Sequence, residues 1–344
     1  MKRAPRANIP SPVRKVNMKR LYLFLGIITI IAITATLTQR SLVMAASANI
    51  ISTYVTEPLP TADMDSKLWL RAPATNVPLN GQQTTYPMNP DYAVKSVTVR
   101  SLNNGKYITF LIKWEDEAKN TGGGVNFFPD KLALQFPTKE SGDPFNDFIC
   151  MGVSIGGNET ALVDIVLWRA DFQKDIEQGF TDVEDVFPNL GVTQYPELVQ
   201  PDAVTFRPAE AVGNPLASTT RAVPLERLYA EGFGTIASRQ SVDATGRGRW
   251  QEGSWQVIIT RPLASAEPAN SQLKPGEVTT LVIAAWDGAN QEVNGKKSVA
   301  SWQSVLIEGV RTDVTLYSTI IPAFGGLTAV LIIALALRRL LLPL

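Results

Sequence analysis

A chain of 344 residues with 32 basic and 32 acidic side chains contains one cysteine and no histidine. Those counts exclude histidine-based catalytic triads, histidine-ligated metals, any internal disulfide, four-cysteine iron–sulfur or zinc sites, and covalent c-type haem attachment. The neutral balance conceals an asymmetry. Residues 1–48 carry eight basic residues and no acidic one, and Arg338 and Arg339 lie near the end, so the stretch between keeps 22 basic against 32 acidic residues, near −10. An acidic middle excludes nucleic acid, which demands a basic face, and favours encounter with a basic protein.

The first element along the chain is apolar. Residues 21–38 are uncharged and, at about 18 residues, just long enough to cross a bilayer. They follow the basic stretch and precede Val43-Met-Ala-Ala-Ser-Ala48, in which Ala46 and Ala48 fit a small-x-small cleavage site. Residues 1–48 therefore read as a basic N-terminus with either a cleaved signal peptide or a retained signal anchor.

Strands follow. Runs 94–102 and 106–114 flank Asn103-Asn104-Gly105, and Asn-Gly permits the positive φ angles of a tight hairpin. In the second run Ile108, Phe110, Ile112 and Trp114 share one face, while Tyr107, Thr109 and Lys113 share the other, which is the period of a half-buried strand. Runs 131–136, 161–168, 203–206, 254–260, 279–286 and 298–307 read the same way. The Gly122-Gly-Gly124 run lacks a following Lys-Ser/Thr and reads as a loop, not a phosphate cradle. Asp171, Asp175, Glu177, Asp182, Glu184 and Asp185 read as a solvated acidic face ahead of a docking patch or a calcium site. Residues 186–250, rich in Pro, Gly and polar residues, read as a loop-rich insertion, with 224–229 a candidate short helix. No long 3.6-residue apolar period appears outside the end segments, so 49–315 is predicted to be an all-β, antiparallel β-sandwich. A second apolar segment ends at Arg338-Arg339 and predicts one C-terminal transmembrane helix over 316–338, with a short tail at 339–344. Basic residues outside both apolar segments put both ends inside and the β domain on the extracytoplasmic, periplasmic side of a cell membrane.

Seven blocks within 90–308 stand in a recognisable order. They are Asn104-Gly-Lys-Tyr-Ile-Thr-Phe-Leu-Ile-Lys-Trp114-Glu-Asp116, Phe128-Pro-Asp-Lys-Leu-Ala-Leu-Gln-Phe-Pro137, Cys150-Met-Gly152 and Val166-Leu-Trp168-Arg-Ala-Asp171, then Gly253-Ser-Trp-Gln-Val-Ile-Ile-Thr-Arg-Pro-Leu263, Ala284-Ala-Trp-Asp-Gly288 and Gly295-Lys-Lys-Ser-Val-Ala-Ser-Trp302. With them the chain resembles the haem-b-binding gamma subunits of type II molybdoenzymes: ethylbenzene dehydrogenase, dimethyl sulfide dehydrogenase, selenate and chlorate reductases and related nitrite oxidoreductases. The resemblance implies one non-covalent haem b held by a methionine and a lysine. The methionine of the Met-Gly block is Met151, and the lysine before Ser-Val is Lys297, with adjacent Lys296 as the alternative. In a strand those two lysines face opposite ways, so only one can point at the iron. The sequence departs from the pattern after Met-Gly, where Val153-Ser-Ile-Gly-Gly157 replaces an acidic, proline-rich turn.

The ligand chemistry is sound on its own terms. A thioether is a soft neutral ligand that tends to raise haem potential, and a lysine amine ligates only when deprotonated, which costs about 4–5 kcal/mol at pH 7. Two filled axial positions imply electron transfer and no catalytic residues. The implied partners are a molybdopterin catalytic subunit and an iron–sulfur subunit, with a basic cytochrome c or a quinone-linked protein as the other electron carrier. Without the resemblance, Met151 would be packing and Lys297 a solvated turn residue. Trp168, Trp255, Trp286 and Trp302 read as core, although Trp286 and Trp302 flank Lys297 and offer a pocket. Arg169 and Arg261 are candidate partners for a haem propionate. The competing reading is a haem-free, membrane-anchored β-sandwich for binding or adhesion.

Overall fold

The structure is a computed structural model that describes residues 49–124, 126–138, 151–152, 161–181, 186–187 and 208–309. The hairpin at Asn103-Asn104-Gly105 forms as the sequence predicts. Strand β4 (Ser96–Asn103) pairs antiparallel with β5 (Tyr107–Glu115), Asn103 opposite Ile108, and Gly105 takes φ 80°. The alternation in β5 holds in part: Ile108, Phe110, Ile112 and Trp114 are buried and Tyr107 and Lys113 exposed, but Thr109 is fully buried, its hydroxyl accepting from Thr260 at 2.7 Å.

The remaining strands in chain order are β1 (Ile50–Tyr54), β2 (Thr75–Pro78) and β3 (Asn80–Gly81) before the hairpin. After it come β6 (Thr121–Gly124), β7 (Phe127–Pro129), β8 (Lys131–Pro137) and β9 (Val163–Arg169). Then follow β10 (Leu225–Ala230), β11 (Ala237–Ser238), β12 (Thr245–Gln251) and β13 (Ser254–Pro262). Strands β14 (Val278–Trp286), β15 (Ser298–Val299) and β16 (Gln303–Ile307) close the series. Their pairing order is β11-β10-β9-β8-β14-β16-β1-β4-β5-β13-β12. Strand β14 joins the two halves of this order. Its residues 278–281 pair with β16, and its residues 282–286 pair with β8.

The two halves face each other across the core, as a sandwich requires. Trp114 on β5 and Trp255 on β13 come from one half, and Trp168 on β9 comes from the other. Trp168 meets Trp255 edge-on at 4.8 Å between centroids, and Trp114 stacks on Trp255 at 6.3 Å. Such edge and offset contacts suit aromatic quadrupoles. Glycine makes the close fit possible: a Cβ on Gly248 of β12 would lie 2.2 Å from the Trp168 ring. Residues 132, 134, 136, 166, 168, 283 and 285 all enter this core. Their neighbours 131, 133, 135, 165, 167, 169, 282, 284 and 286 therefore turn to the opposite face of the same half, where the site lies.

Several sequence expectations need correction. The sandwich is not wholly antiparallel, because β1 inserts parallel to both β16 and β4. A period-two pattern records which side chains are buried but not which way the neighbouring strand runs. The 224–229 segment is strand β10, not a helix, and β12 also falls inside the stretch read as loop-rich. The 298–307 run is broken into β15 and β16, while Ala300 donates to the Ile283 carbonyl between them. The Gly122–Gly124 run belongs to β6, paired with β7. An unpredicted helix, α1 (Ala170–Gln178), starts the acidic stretch, where Asp171 and Asp175 pair with Arg169 and Arg221 instead of facing solvent alone. Among the described residues no helix is long and apolar enough to cross a membrane. Helix α1 has nine residues against the roughly 20 a span needs. The expected C-terminal transmembrane helix is accordingly withdrawn from the fold. Segments 1–48 and 316–344, on which the signal, anchor and tail readings fell, lie outside the described residues, as does the 203–206 run.

Candidate functional site

The outward face of β8, β9, β10 and β14 is apolar where a solvated sheet would be polar. Ala133, Ile165, Leu167, Leu228, Ala284 and Trp286 form a buried cluster there. They floor a cavity of about 630 Å³, which is within the usual range for cofactor sites. Gln82, the 85–87 loop, the stretch around Phe233 and Ile236, and Gly295, Lys297 and Val299 contribute its walls.

Met151 belongs to that cluster and lines the cavity, 9% exposed. Its placement has a local cause. Met151 and Gly152 both take left-handed backbone, φ 53° and 83°. Gly152 lies against the chain just before β9: it accepts from the Ala161 amide at 2.8 Å, and a Cβ would come within 2.0 Å of the Ala161 carbonyl oxygen. Only glycine fits there. An unbranched methionine in the left-handed region is uncommon, and such residues concentrate at functional sites.

Lys297 lines the same cavity, with its Nζ 5.3 Å from the centre of the Trp286 ring. Three contacts hold its segment. The Gln82 amide donates to the Lys297 carbonyl at 2.9 Å, the Gln82 side chain donates to the Gly295 carbonyl at 2.9 Å, and Trp286 Nε1 donates to the Asn294 carbonyl at 3.0 Å. Strand β15 then starts at Ser298 and pairs with both β14 and β3. Lys296 takes a different course: its Nζ donates to the Asn290 carbonyl at 3.2 Å, and it is absent from the cavity wall.

The other candidates divide. Trp168 and Trp255 lie in the core, Trp286 borders the cavity and Trp302 does not. Arg169 lines the cavity but is paired with Asp171 at 2.7 Å and Glu226 at 3.4 Å. Arg261 is buried elsewhere, against Asp164 at 3.0 Å, and burial lowers it to about 10. Sequence reasoning missed two residues. Lys131, beside Arg169, also lines the cavity, and burial followed by the Arg169 charge lowers its amine to about 8. Its alternation with Leu132 was the available signal. Gln82 had no signal, since its role depends on contacts more than 200 positions away.

A carboxylate cluster was missed as well. Oxygens of Asp116, Asp130 and Asp287 lie within 4.8 Å of one another, and each aspartate closes or opens a strand in one of the seven blocks. Burial, then neighbouring carboxylate charge, pushes Asp116 up to about 6 and Asp130 up to about 7; burial also raises Asp287. Oxygen ligands of this type suit a hard divalent cation. Asp130 is already occupied by donors from Gly288, Asn120 and the Trp255 indole, and so ties three strand ends together.

An apolar floor, a soft neutral sulfur, an amine beside an indole, and Lys131 with the Arg169–Glu226 pair at one edge form a donor set that fits an iron porphyrin. Relatives point the same way. A candidate respiratory nitrate reductase heme subunit, ORF7, of Haloferax mediterranei is 21% identical over 291 residues, covering 84% of each chain. The chlorate reductase subunit gamma of Ideonella dechloratans is 33% identical over 78 residues, 22% of this chain and 33% of that one. A solved carbohydrate-binding candidate from Bacteroides uniformis aligns with 76% of this chain and 91% of its own at 10% identity, but its TM-score of 0.37 supports no inference. The family model described as ethylbenzene dehydrogenase matches residues 66–298, and the chain belongs to that family of haem gamma subunits.

Proposed function

We propose that the chain is a haem-b-binding, non-catalytic electron-transfer subunit of an oxidoreductase complex, with Met151 sulfur and the Lys297 amine as axial ligands. The observation that supports this most is that the two residues, distant in sequence, border one apolar cavity while Lys296 turns away to Asn290. Haem, when bound, supplies a one-electron couple. The chain's own residues do the rest. The floor excludes water, which reduces the cost of holding Lys297 neutral, and the Met151 thioether adds no charge. Met151 sulfur and the Lys297 amine together would hold the iron, which suits electron transfer rather than substrate binding.

The family supports partners of two kinds, a molybdopterin catalytic subunit and an iron–sulfur subunit, between which and a second carrier single electrons pass. The acidic balance of residues 49–337 suits a basic cytochrome c as that carrier, at an extracytoplasmic face. Association with a respiratory membrane is proposed by way of those partners.

The test is a reduced-minus-oxidised visible spectrum of the full-length protein beside Met151→Ala, Lys297→Ala and Lys296→Ala. A low-spin b-type spectrum altered by the first two and kept by the third is expected. A colourless protein after haem-replete expression overturns the reading.

A further inference from the structure

At one end of the cavity floor, three strands stop in register. Lys131 on β8 stands opposite Arg169 on β9 and opposite Trp286 on β14. All three side chains line the cavity, so they form a row across its edge, beside the Lys297 amine over Trp286.

The two cations in that row are not equivalent. Arg169 is committed on every side: Asp171 accepts from it at 2.7 and 3.0 Å, Glu226 at 3.4 Å, and its guanidinium lies 4.2 Å from the Phe172 ring centre. Lys131 makes no ion pair among the described residues. Its charge sits half-buried over the floor, next to the Arg169 charge, and the nearby carboxylates Asp171 and Glu226, both paired with Arg169, offset only part of that burial. A carboxylate placed directly on such a cation forms a charge-assisted bond.

We propose that Lys131 is the recognition group for a carboxylate of the cavity's ligand, which on the function proposed above is a haem propionate. The two propionates are the only anionic substituents of haem b. One of them on Lys131 turns the propionate edge of the macrocycle toward the Lys131–Arg169 end and the apolar edge toward Leu228 and Phe233. Lys131 is then a positioning residue, distinct from the iron ligands.

The test titrates the full-length protein, stripped of haem, with protohaem and with its dimethyl ester, whose propionates carry no charge. In the wild type the free acid is expected to bind at least about tenfold more tightly than the ester. In Lys131→Met that preference falls about tenfold, the ester's affinity hardly changes, and the low-spin spectrum persists with both ligands. Lys131→Arg restores the preference, which separates charge recognition from a folding defect. An acid-over-ester preference unchanged in Lys131→Met overturns the proposal. Loss of the low-spin spectrum in that variant also overturns it, by making Lys131 an iron ligand. If neither porphyrin binds the wild type, the haem reading itself fails, and this inference falls with it.

Discussion

Gln82 holds Lys297 from two directions: its backbone amide donates to the Lys297 carbonyl and its side-chain amide to the Gly295 carbonyl, both at 2.9 Å. The same side chain donates to the Thr85 and Pro87 carbonyls and accepts from the Thr84 and Thr85 amides. One buried residue thus ties the 82–89 loop to the lysine segment. Gln82→Ala leaves several of these groups unpaired and is expected to cost about 2–3 kcal/mol. Urea unfolding of the two proteins measures this. Bound haem should also be lost faster from the variant. Equal midpoints and equal loss rates would show that the Gln82 side chain takes no part in placing Lys297, leaving the backbone bond and β15 to do so.

How much of this was legible in the sequence depended on which residues carried the pattern. Strands β5, β8, β13 and β14 place bulky apolar side chains at every second position, and their reading held. Strand β12 does the reverse. Two of its three core-facing positions are Gly246 and Gly248, because Leu225 and Trp168 from the facing half fill that space, and only Trp250 is left to mark the face. Strand β10 was obscured by Glu226 and Arg227, whose charges meet partners outside the strand, Arg169 and Ser238 for Glu226 and Asp164 and Asp243 for Arg227. Helix α1 is short and mostly polar, with Phe172 covered by Arg169 and Arg221, and offers no apolar stripe. The Met-Gly pair was legible as a motif, but its reason was not. The close approach of Gly152 to Ala161 appears only in three dimensions.

Met151 offers a way to separate packing from ligation. Met151→Leu keeps the volume and apolar character of the side chain in its cluster, so stability should change by less than about 1.5 kcal/mol. If sulfur binds the iron, the low-spin spectrum should nevertheless be lost and the reduction potential should fall. Gly152→Ala should behave differently, costing more than about 1 kcal/mol, because alanine strains the φ 83° backbone and meets the Ala161 carbonyl. An unchanged spectrum in the Met151→Leu protein would remove Met151 from the iron.

Asp164 is the hinge of a buried charge cluster behind the floor. It accepts from Arg227 at 3.2 Å, Arg261 at 3.0 Å and the Ser271 amide at 2.9 Å, and both guanidiniums are fully buried. Removing one member of such a set strands the others. Asp164→Ala is expected to destabilise by about 3–5 kcal/mol, read by denaturant midpoint. A cost below about 1 kcal/mol would mean that water or Asp243, 3.1 Å from Arg227, can replace it.

The carboxylate cluster predicts a pH dependence with a definite sign. Burial, with repulsion from Asp287 on Asp116 and from Asp116 on Asp130, raises the two from 3.8 to about 6 and about 7, so the folded state holds protons that the unfolded chain releases. Stability from this source is fully present below about pH 4 and is lost as pH rises through 6 and 7. Other carboxylates, such as Asp65 with Arg249, are lowered below their ordinary range and act in the opposite sense, outside that window. Between pH 5 and pH 8, in EDTA, the unfolding midpoint should therefore fall. In Asp116→Asn the fall should shrink, since one titrating group is gone and its charge no longer raises Asp130. Asp116 is the group to change, because Asp130 accepts three hydrogen bonds that an amide cannot all keep. A midpoint that rises over the same range, or the same slope in the variant, would mean that the cluster stays ionised in the fold.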